Sequence, residues 1–280
     1  MNTMNIFYAV NDAYVEQLCV SMLSILHNNR EDDISFFILT SDITENSKRK
    51  IGKLKCAYDN WSVKYVYLNS MLFDAFKLNI KYISIETYFR YVIADVVPYL
   101  DKCLYLDADL VCNGSITSLW NISIDDCYCA GVRDLYIEKI NYKKELNLTS
   151  DDVYINAGVM LINLKKIRQD DMVNILLKNT EFWSEKILFQ DQDIINITFK
   201  SNIREIDSLY NFTSTNVYEE TAKCNEAVII HYTGSKKPWN SDCKHKLRNI
   251  WKRYSFIHSF IQKFGKVFSG NFVKAMCKFM

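Results

Sequence analysis

The sequence predicts an α/β fold, in which a Rossmann-like sheet starts at the N-terminus and carries helices on its faces. Three observations predict it. Short apolar runs alternate with amphipathic stretches of helical length, no repeat of fixed period occurs, and no Pro-, Gly- or Ser-rich linker divides the chain. A length of 280 residues accommodates one large α/β domain, and 49% hydrophobic with 24% charged residues excludes a long disordered polymer.

The elements follow in order. Residues 5–10 (NIFYAV) and 34–40 (ISFFILT) are strand-like runs that bracket residues 14–27, where Leu18, Met22, Ile25 and Leu26 recur at helical spacing. That is a βαβ unit. Residues 44–58 (TENSKRKIGKLKCAY) begin with capping Thr and Ser and expose a Lys-rich face, and residues 63–68 resume a strand pattern. The first strands are therefore expected to be parallel. No GxGxxG or GxxxxGK sequence occurs in a chain with only seven Gly, which removes the classical dinucleotide loop and the P-loop.

Charge divides the chain at residue 242. Residues 1–242 hold 25 basic against 33 acidic residues, a net −8, whereas residues 243–280 hold nine basic and no acidic ones, a net +9. An acidic body with a basic tail points to an anionic partner at the tail and away from nucleic acid. Within the tail, Ile250, Tyr254, Ile257, Ile261, Phe264 and Phe268 form one apolar helical stripe, widened by Trp251 and Phe260 and flanked by Lys252, Arg253, Lys263 and Lys266. The expectation is a basic amphipathic helix at residues 243–280 that lies on an anionic membrane, with docking onto the body as the competing reading. Nine Cys, an odd number without the CxxC pairs of a zinc ribbon, no apolar N-terminal signal and no apolar run of spanning length lead to an expected cytoplasmic, membrane-peripheral location. The Asn-x-Ser/Thr sequons at Asn113, Asn121, Asn147, Asn196 and Asn211 then have no reading as glycosylation sites.

Two segments carry the chemistry. In residues 102–113 (KCLYLDADLVCN) an apolar strand runs into Asp107 and Asp109, and ligands of α/β sheets bind beyond the carboxyl ends of strands. Two hard oxygen donors suit Mg²⁺ or Mn²⁺ held against phosphate. The same D-x-D also fits a turn in which Asp caps backbone N–H groups. In residues 228–239 (VIIHYTGSKKPW) a second strand ends at His231, followed by Gly234, Lys236 and Lys237. An imidazole added to two carboxylates favours Mn²⁺, while Gly234 and the lysines suit a diphosphate. His231 could equally be a satisfied structural residue. Amides and carboxylates at the edges of residues 154–164 (YINAGVMLINL) and 189–196 (FQDQDIIN) could bind sugar hydroxyls or cap a helix.

Taken together, these segments resemble the bacterial family 8 glycosyltransferases of the GT-A fold, closest to the branch of lipooligosaccharide and lipopolysaccharide galactosyl- and glucosyltransferases. Seven blocks stand in family order over residues 4 to about 243: FYAVNDAY, LNIKYISIETYFRY, YLDADL, GVRDLY, YINAGVMLINLKK, FQDQDIIN and HYTGSKKPW. The resemblance implies a mixed GT-A sheet in residues 1–242 and a Mn²⁺-dependent, retaining transfer of galactose or glucose from UDP to a saccharide acceptor. It implies that Asp107, Asp109 and His231 hold the metal. Ala9 and Asn11 would lie by the uridine, Ala108, Ala157, Gly234 and Lys237 by the donor, and Arg90, Asp134, Asn156, Asp191 and Gln192 around its sugar. The chain departs from relatives at Asn11, Ala13 and Thr233. An amide is a weak nucleophile, so Gln192 is expected to stabilise an oxocarbenium-like cation. Two alternatives compete: a haloacid dehalogenase-type phosphohydrolase with Asp107 as nucleophile, since residues 107–111 also read DxDxV, and a non-catalytic nucleotide-sugar-binding protein.

Overall fold

A computed structural model describes residues 3–265. Its main sheet has seven strands: β1 (Met4–Ala9), β2 (Ile34–Thr40), β3 (Trp61–Tyr67), β4 (Lys102–Leu106), β6 (Cys129–Arg133), β7 (Ile155–Asn163) and β8 (Ile203–Glu205). They lie in the order β3-β2-β1-β4-β7-β6-β8. The first four are mutually parallel, as the βαβ pattern predicts, and β7 runs antiparallel to both β4 and β6. The sheet is therefore mixed. A second sheet of β5 (Leu110–Cys112), β10 (Ile229–His231) and β9 (Phe212–Thr213) sits beside it in the order β5-β10-β9.

The helix Val15–Asn28 follows the predicted register, burying Leu18, Met22, Ile25 and Leu26 on the sheet. Every residue of β7 is buried, the pattern of a strand covered on both faces. Thr44 caps the helix Glu45–Gly52 by accepting from the Ser47 N–H.

The two sheets meet where the chemistry-bearing residues lie. The chain leaves the large sheet at Leu106 and enters the small one at Leu110, so Asp107, Ala108 and Asp109 form the link rather than the end of a continuing strand. The Asp107 N–H donates to Gly158 O at 2.8 Å and the Asp109 carbonyl accepts from the Tyr232 N–H at 3.1 Å. One aspartate is thus tied through its backbone to each sheet.

The C-terminal stripe is used differently from the membrane expectation. The helix Arg248–Phe264 buries Trp251, Tyr254, Ile257 and Ile261 in the same core as β1, β2 and the helix Val15–Asn28. Asn28 donates to the Tyr254 hydroxyl at 2.9 Å, and His258 Nδ1 lies 3.5 Å from Glu16 Oε2. The helical period was legible. Its partner is the body, because burying each such side chain contributes about 1.5–3 kcal/mol and an apolar surface lay within reach. Phe256 and Phe264, 56% and 42% exposed, stay outside that contact. Phe268, Lys266 and the rest of the predicted tail fall outside the described residues. No described helix is long and apolar enough to cross a membrane.

Candidate active site

A cavity of about 560 Å³ opens at the junction of the two sheets. Of the residues singled out in the sequence, Ala9, Arg90, Asp107, Ala108, Asp109, Asp134, Asn156, Ala157, Asp191, Gln192, His231, Gly234 and Lys237 all line it. Asn11 does not. It sits just past β1 and reaches Glu86 Oε2 at 3.4 Å, leaving its own buried Oδ1 without a partner.

At the base, Asp107, Asp109 and His231 bring ligand atoms within 4.8 Å of one another. His231 ends β10, opposite Leu110 in antiparallel register. Its Nε2 lies 3.1 Å from Asp109 Oδ1 and 3.8 Å from Asp107 Oδ2, while its Nδ1 meets Asn211 Oδ1 at 2.9 Å. An amide oxygen only accepts, so Nδ1 carries a proton and Nε2 is the nitrogen turned to the carboxylates, with a lone pair whenever the imidazole is neutral. With the imidazole neutral, Nε2 and Asp109 Oδ1 are two acceptors facing each other, and Asp109 Oδ1 is buried with no hydrogen-bond donor. A divalent cation between them satisfies both, and the two-carboxylate, one-imidazole set suits Mn²⁺ or Mg²⁺ chemistry. The residues fit the group.

Gly158 makes this approach possible. A Cβ on Gly158 would stand 2.2 Å from His231 Cε1 and 2.7 Å from Asp107 Oδ2. A glycine inside a fully buried strand signals close approach of another group. That signal was present in YINAGVM, although it did not say which group approaches.

Lys237 lies beside the triad. Its ammonium bonds Asp109 Oδ2 and donates to Tyr232 O at 2.9 Å. Burial opposes the charge on Asp109, yet the Lys237 ammonium holds its carboxyl well below the usual carboxylate range. Gly234, with φ of +86°, turns the loop in a conformation that disfavours L side chains.

The opposite wall is a network of carboxylates and amides. Arg90, in the 3₁₀ segment Ile85–Val92, donates to Asp107 Oδ1 at 3.0 Å and to Ala157 O at 2.6 Å, its Nε donates to Thr87 O at 2.9 Å and pairs ionically with Asp191 Oδ2 at 3.0 Å, and its guanidinium stacks 4.2 Å from the Tyr105 ring centroid. Its N–H groups therefore serve protein acceptors, and it clamps two carboxylates in place. Burial pushes the Asp191 carboxyl up to about 6, with Arg90 and the Thr87 hydroxyl acting against that rise. Gln192 Oε1 accepts from the Ala157 N–H and from Asn156 Nδ2, both at 3.1 Å, and its Nε2 donates to Asp134 Oδ2 at 3.1 Å.

Residues 189–196 serve both readings that the sequence left open. Asp193 Oδ2 accepts the Leu188 and Phe189 N–H groups at 2.9 Å at the start of the helix Gln190–Phe199, a structural use, whereas Asp191 and Gln192 face the cavity. Sequence reasoning missed Gly158, Thr87, Tyr105 and the site role of Asn211.

Counted formally, Asp107, Asp109, Asp134 and Asp191 outweigh Arg90 and Lys237 by two negative charges around the cavity. A divalent cation balances that excess.

Comparison with known proteins agrees with this geometry. A model of the family described as glycosyl transferase family 8 matches residues 5–243. The chain is 33% identical over 250 residues to a putative glycosyltransferase of Haemophilus influenzae, covering 87% of this chain and 75% of that protein. It is 30% identical over 253 residues to a lipopolysaccharide 1,2-glucosyltransferase of Escherichia coli, covering 85% and 74%. The crystal structure of galactosyltransferase LgtC in complex with donor and acceptor sugar analogs superposes with a TM-score of 0.84 at 30% identity, covering 90% of this chain and 95% of that one. With the fold, the cavity and the matched residues in agreement, the chain belongs to glycosyltransferase family 8 and has the GT-A fold of LgtC.

Proposed function

We propose that the protein is a retaining hexosyltransferase, moving galactose or glucose from a UDP-sugar to a saccharide acceptor of lipopolysaccharide or another cell-surface glycan, with Mn²⁺ as its cation and Mg²⁺ as a substitute. The observation that carries this reading is the pair of facing acceptors, His231 Nε2 and Asp109 Oδ1, at the base of a cavity whose far wall holds Asp134, Asp191 and Gln192. A divalent cation there neutralises charge on the departing diphosphate. Lys237 adds an ammonium donor beside it, and Gly234 lets the loop backbone approach an anion. Across the cavity, Asp134 and Asp191 supply negative charge and Gln192 an amide oxygen toward the anomeric carbon as it becomes cationic. Arg90 holds Asp107 and Asp191 in position.

Retention is what the family resemblance implies, and the same wall suits it. Gln192 is a poor nucleophile, and its oxygen already accepts two hydrogen bonds, so departure and return on one face of the sugar is the chemistry it best serves. The acceptor class draws support from the lipopolysaccharide glucosyltransferase and LgtC relatives. A lipid-linked acceptor would place the protein at the cytoplasmic membrane face, a role left to the outer side of the C-terminal helix, Lys252, Phe256 and Lys263, and to the residues beyond it. The phosphohydrolase alternative gains no support, since Asp107 Oδ1 is engaged by both Arg90 and Tyr105. The test is a panel of UDP-sugars assayed for Mn²⁺-dependent release of UDP. Phosphate-ester hydrolysis without any UDP-sugar requirement would overturn the reading.

A further inference from the structure

We infer that Asn211 is the positioning residue of this site: it sets the tautomer of His231 and joins the metal end of the cavity to the sugar end through one line of amides. The inference deepens the proposed metal-dependent transferase and rests on that reading for its functional consequence. Its structural content stands on orientation alone.

The orientation begins at the backbone. Backbone N–H groups only donate, so the Ala157 N–H at 3.1 Å defines which atom of Gln192 is oxygen, and the Gly158 N–H at 3.1 Å does the same for Asn156. Asn156 must then present its Nδ2 to Gln192 Oε1 at 3.1 Å and to Asp134 Oδ2 at 3.2 Å. What faces Asn156 Oδ1 must be a donor, and Asn211 supplies its Nδ2 at 3.0 Å. Asn211 Oδ1 is thereby turned to His231 Nδ1, at 2.9 Å, and accepts from it. Each member has one orientation left, and the last one keeps the proton on Nδ1 and turns Nε2 to Asp107 and Asp109.

Burial makes the arrangement binding. Asn211 is fully buried, Asn156 is 8% exposed and His231 is 3% exposed, so water has little access to replace a lost partner. Position follows from strand pairing: Asn211 directly precedes β9, and β9 runs parallel to β10 with Ile230 opposite Phe212 and His231 opposite Thr213. A residue that read as an idle sequon is carried by that register to the imidazole.

The test uses the full-length protein. In the metal-free wild type, ¹⁵N NMR of the imidazoles, with His231 assigned by comparison with His231→Gln, should show Nδ1 protonated, so that neutral His231 is the Nδ1–H tautomer. Asn211→Leu removes both hydrogen bonds and should weaken Mn²⁺ binding about 10- to 100-fold, the usual cost of losing the group that orients a ligating histidine. Asn211→Asp keeps an acceptor for Nδ1 but no donor for Asn156, so Mn²⁺ affinity should recover toward wild type while kcat for UDP-sugar turnover stays low. A purely structural role would not divide the two readouts in that way. An unprotonated His231 Nδ1 in the metal-free protein, or wild-type Mn²⁺ affinity in folded Asn211→Leu, would overturn the assignment. If Asn211→Leu does not fold, the wild-type tautomer and Asn211→Asp decide the matter. A wild type that binds no Mn²⁺ but shows the Nδ1–H tautomer would support the orientation and contradict the metal-dependent reading instead.

Discussion

Lys237 holds the one oxygen of Asp109 that does not face His231. The ammonium is on Oδ2, the imidazole faces Oδ1, and the carboxylate between them is buried and held in its charged form by Lys237. Two cationic demands, a fixed one from the protein and a variable one from a metal, therefore meet on a single side chain.

Replacing Lys237 with Met should separate them. Loss of a charged donor aimed at the diphosphate is expected to lower kcat/KM about 10²-fold, the scale seen when one stabilising donor is removed. Mn²⁺ binding in the absence of nucleotide should tighten, because Asp109 no longer shares its charge. Steady-state kinetics with a Mn²⁺ titration checks both, and weaker Mn²⁺ binding would contradict the arrangement.

Gly158→Ala should damage the site more than the fold. Its Cβ would collide with His231 and Asp107, and overpacking of this kind costs about 1–3 kcal/mol. Circular dichroism should report a folded protein with a lowered melting temperature, and UDP release should be lost. Full activity would show that His231 and Asp107 can move apart without consequence.

Gln192→Ala should reduce kcat more than it changes KM for the UDP-sugar, because stabilising a developing cation acts mainly in the transition state. An effect confined to KM would make Gln192 a binding residue only.

Asp191 gives a pH prediction with a definite sign. Burial raises its carboxyl from 3.8 to about 6, so the folded protein binds that proton more tightly than the unfolded chain does. The stability it contributes is fully present below 3.8 and is lost as pH rises through about 6. Asp191→Asn should flatten the stability curve across that window, as followed by urea unfolding of the metal-free protein. An unchanged slope would place the titration elsewhere.

The docked C-terminal helix predicts that Ile257→Ala costs about 2–5 kcal/mol, as for other buried large-to-small changes. A stability change near zero, together with loss of vesicle binding, would return that face to the membrane.

How far the sequence carried these conclusions depended on whether a role is local. The D-x-D pair, His231 and the helix-starting FQDQD segment sit at the ends of apolar runs, where the chain itself marks the site. Gly158 and Asn211 matter through a partner 73 and 20 residues away, His231, brought close by β7 pairing with β4 ahead of the Asp107–Asp109 link in the first case and by β9 pairing with β10 in the second, so their roles became visible only with the register. Arg90 was legible as a site residue but not as a clamp on Asp107 and Asp191. In the tail, periodicity located the stripe of Tyr254, Ile257 and Ile261, yet an apolar face carries no label for what covers it. The body supplied that cover because Leu18, Met22 and their neighbours build one continuous core with it.

The central claim is that Asp107, Asp109 and His231 form a cation site on which sugar transfer depends. Mn²⁺ binding to wild type and to Asp109→Asn, measured by calorimetry and paired with UDP release from UDP-galactose and UDP-glucose, tests it most directly. The account predicts one Mn²⁺ bound by wild type, at least 10-fold weaker binding by the variant in line with loss of a charged ligand, retained fold, and turnover of a UDP-sugar that disappears in EDTA and in the variant. Wild-type turnover in EDTA, or full activity of folded Asp109→Asn, would contradict it.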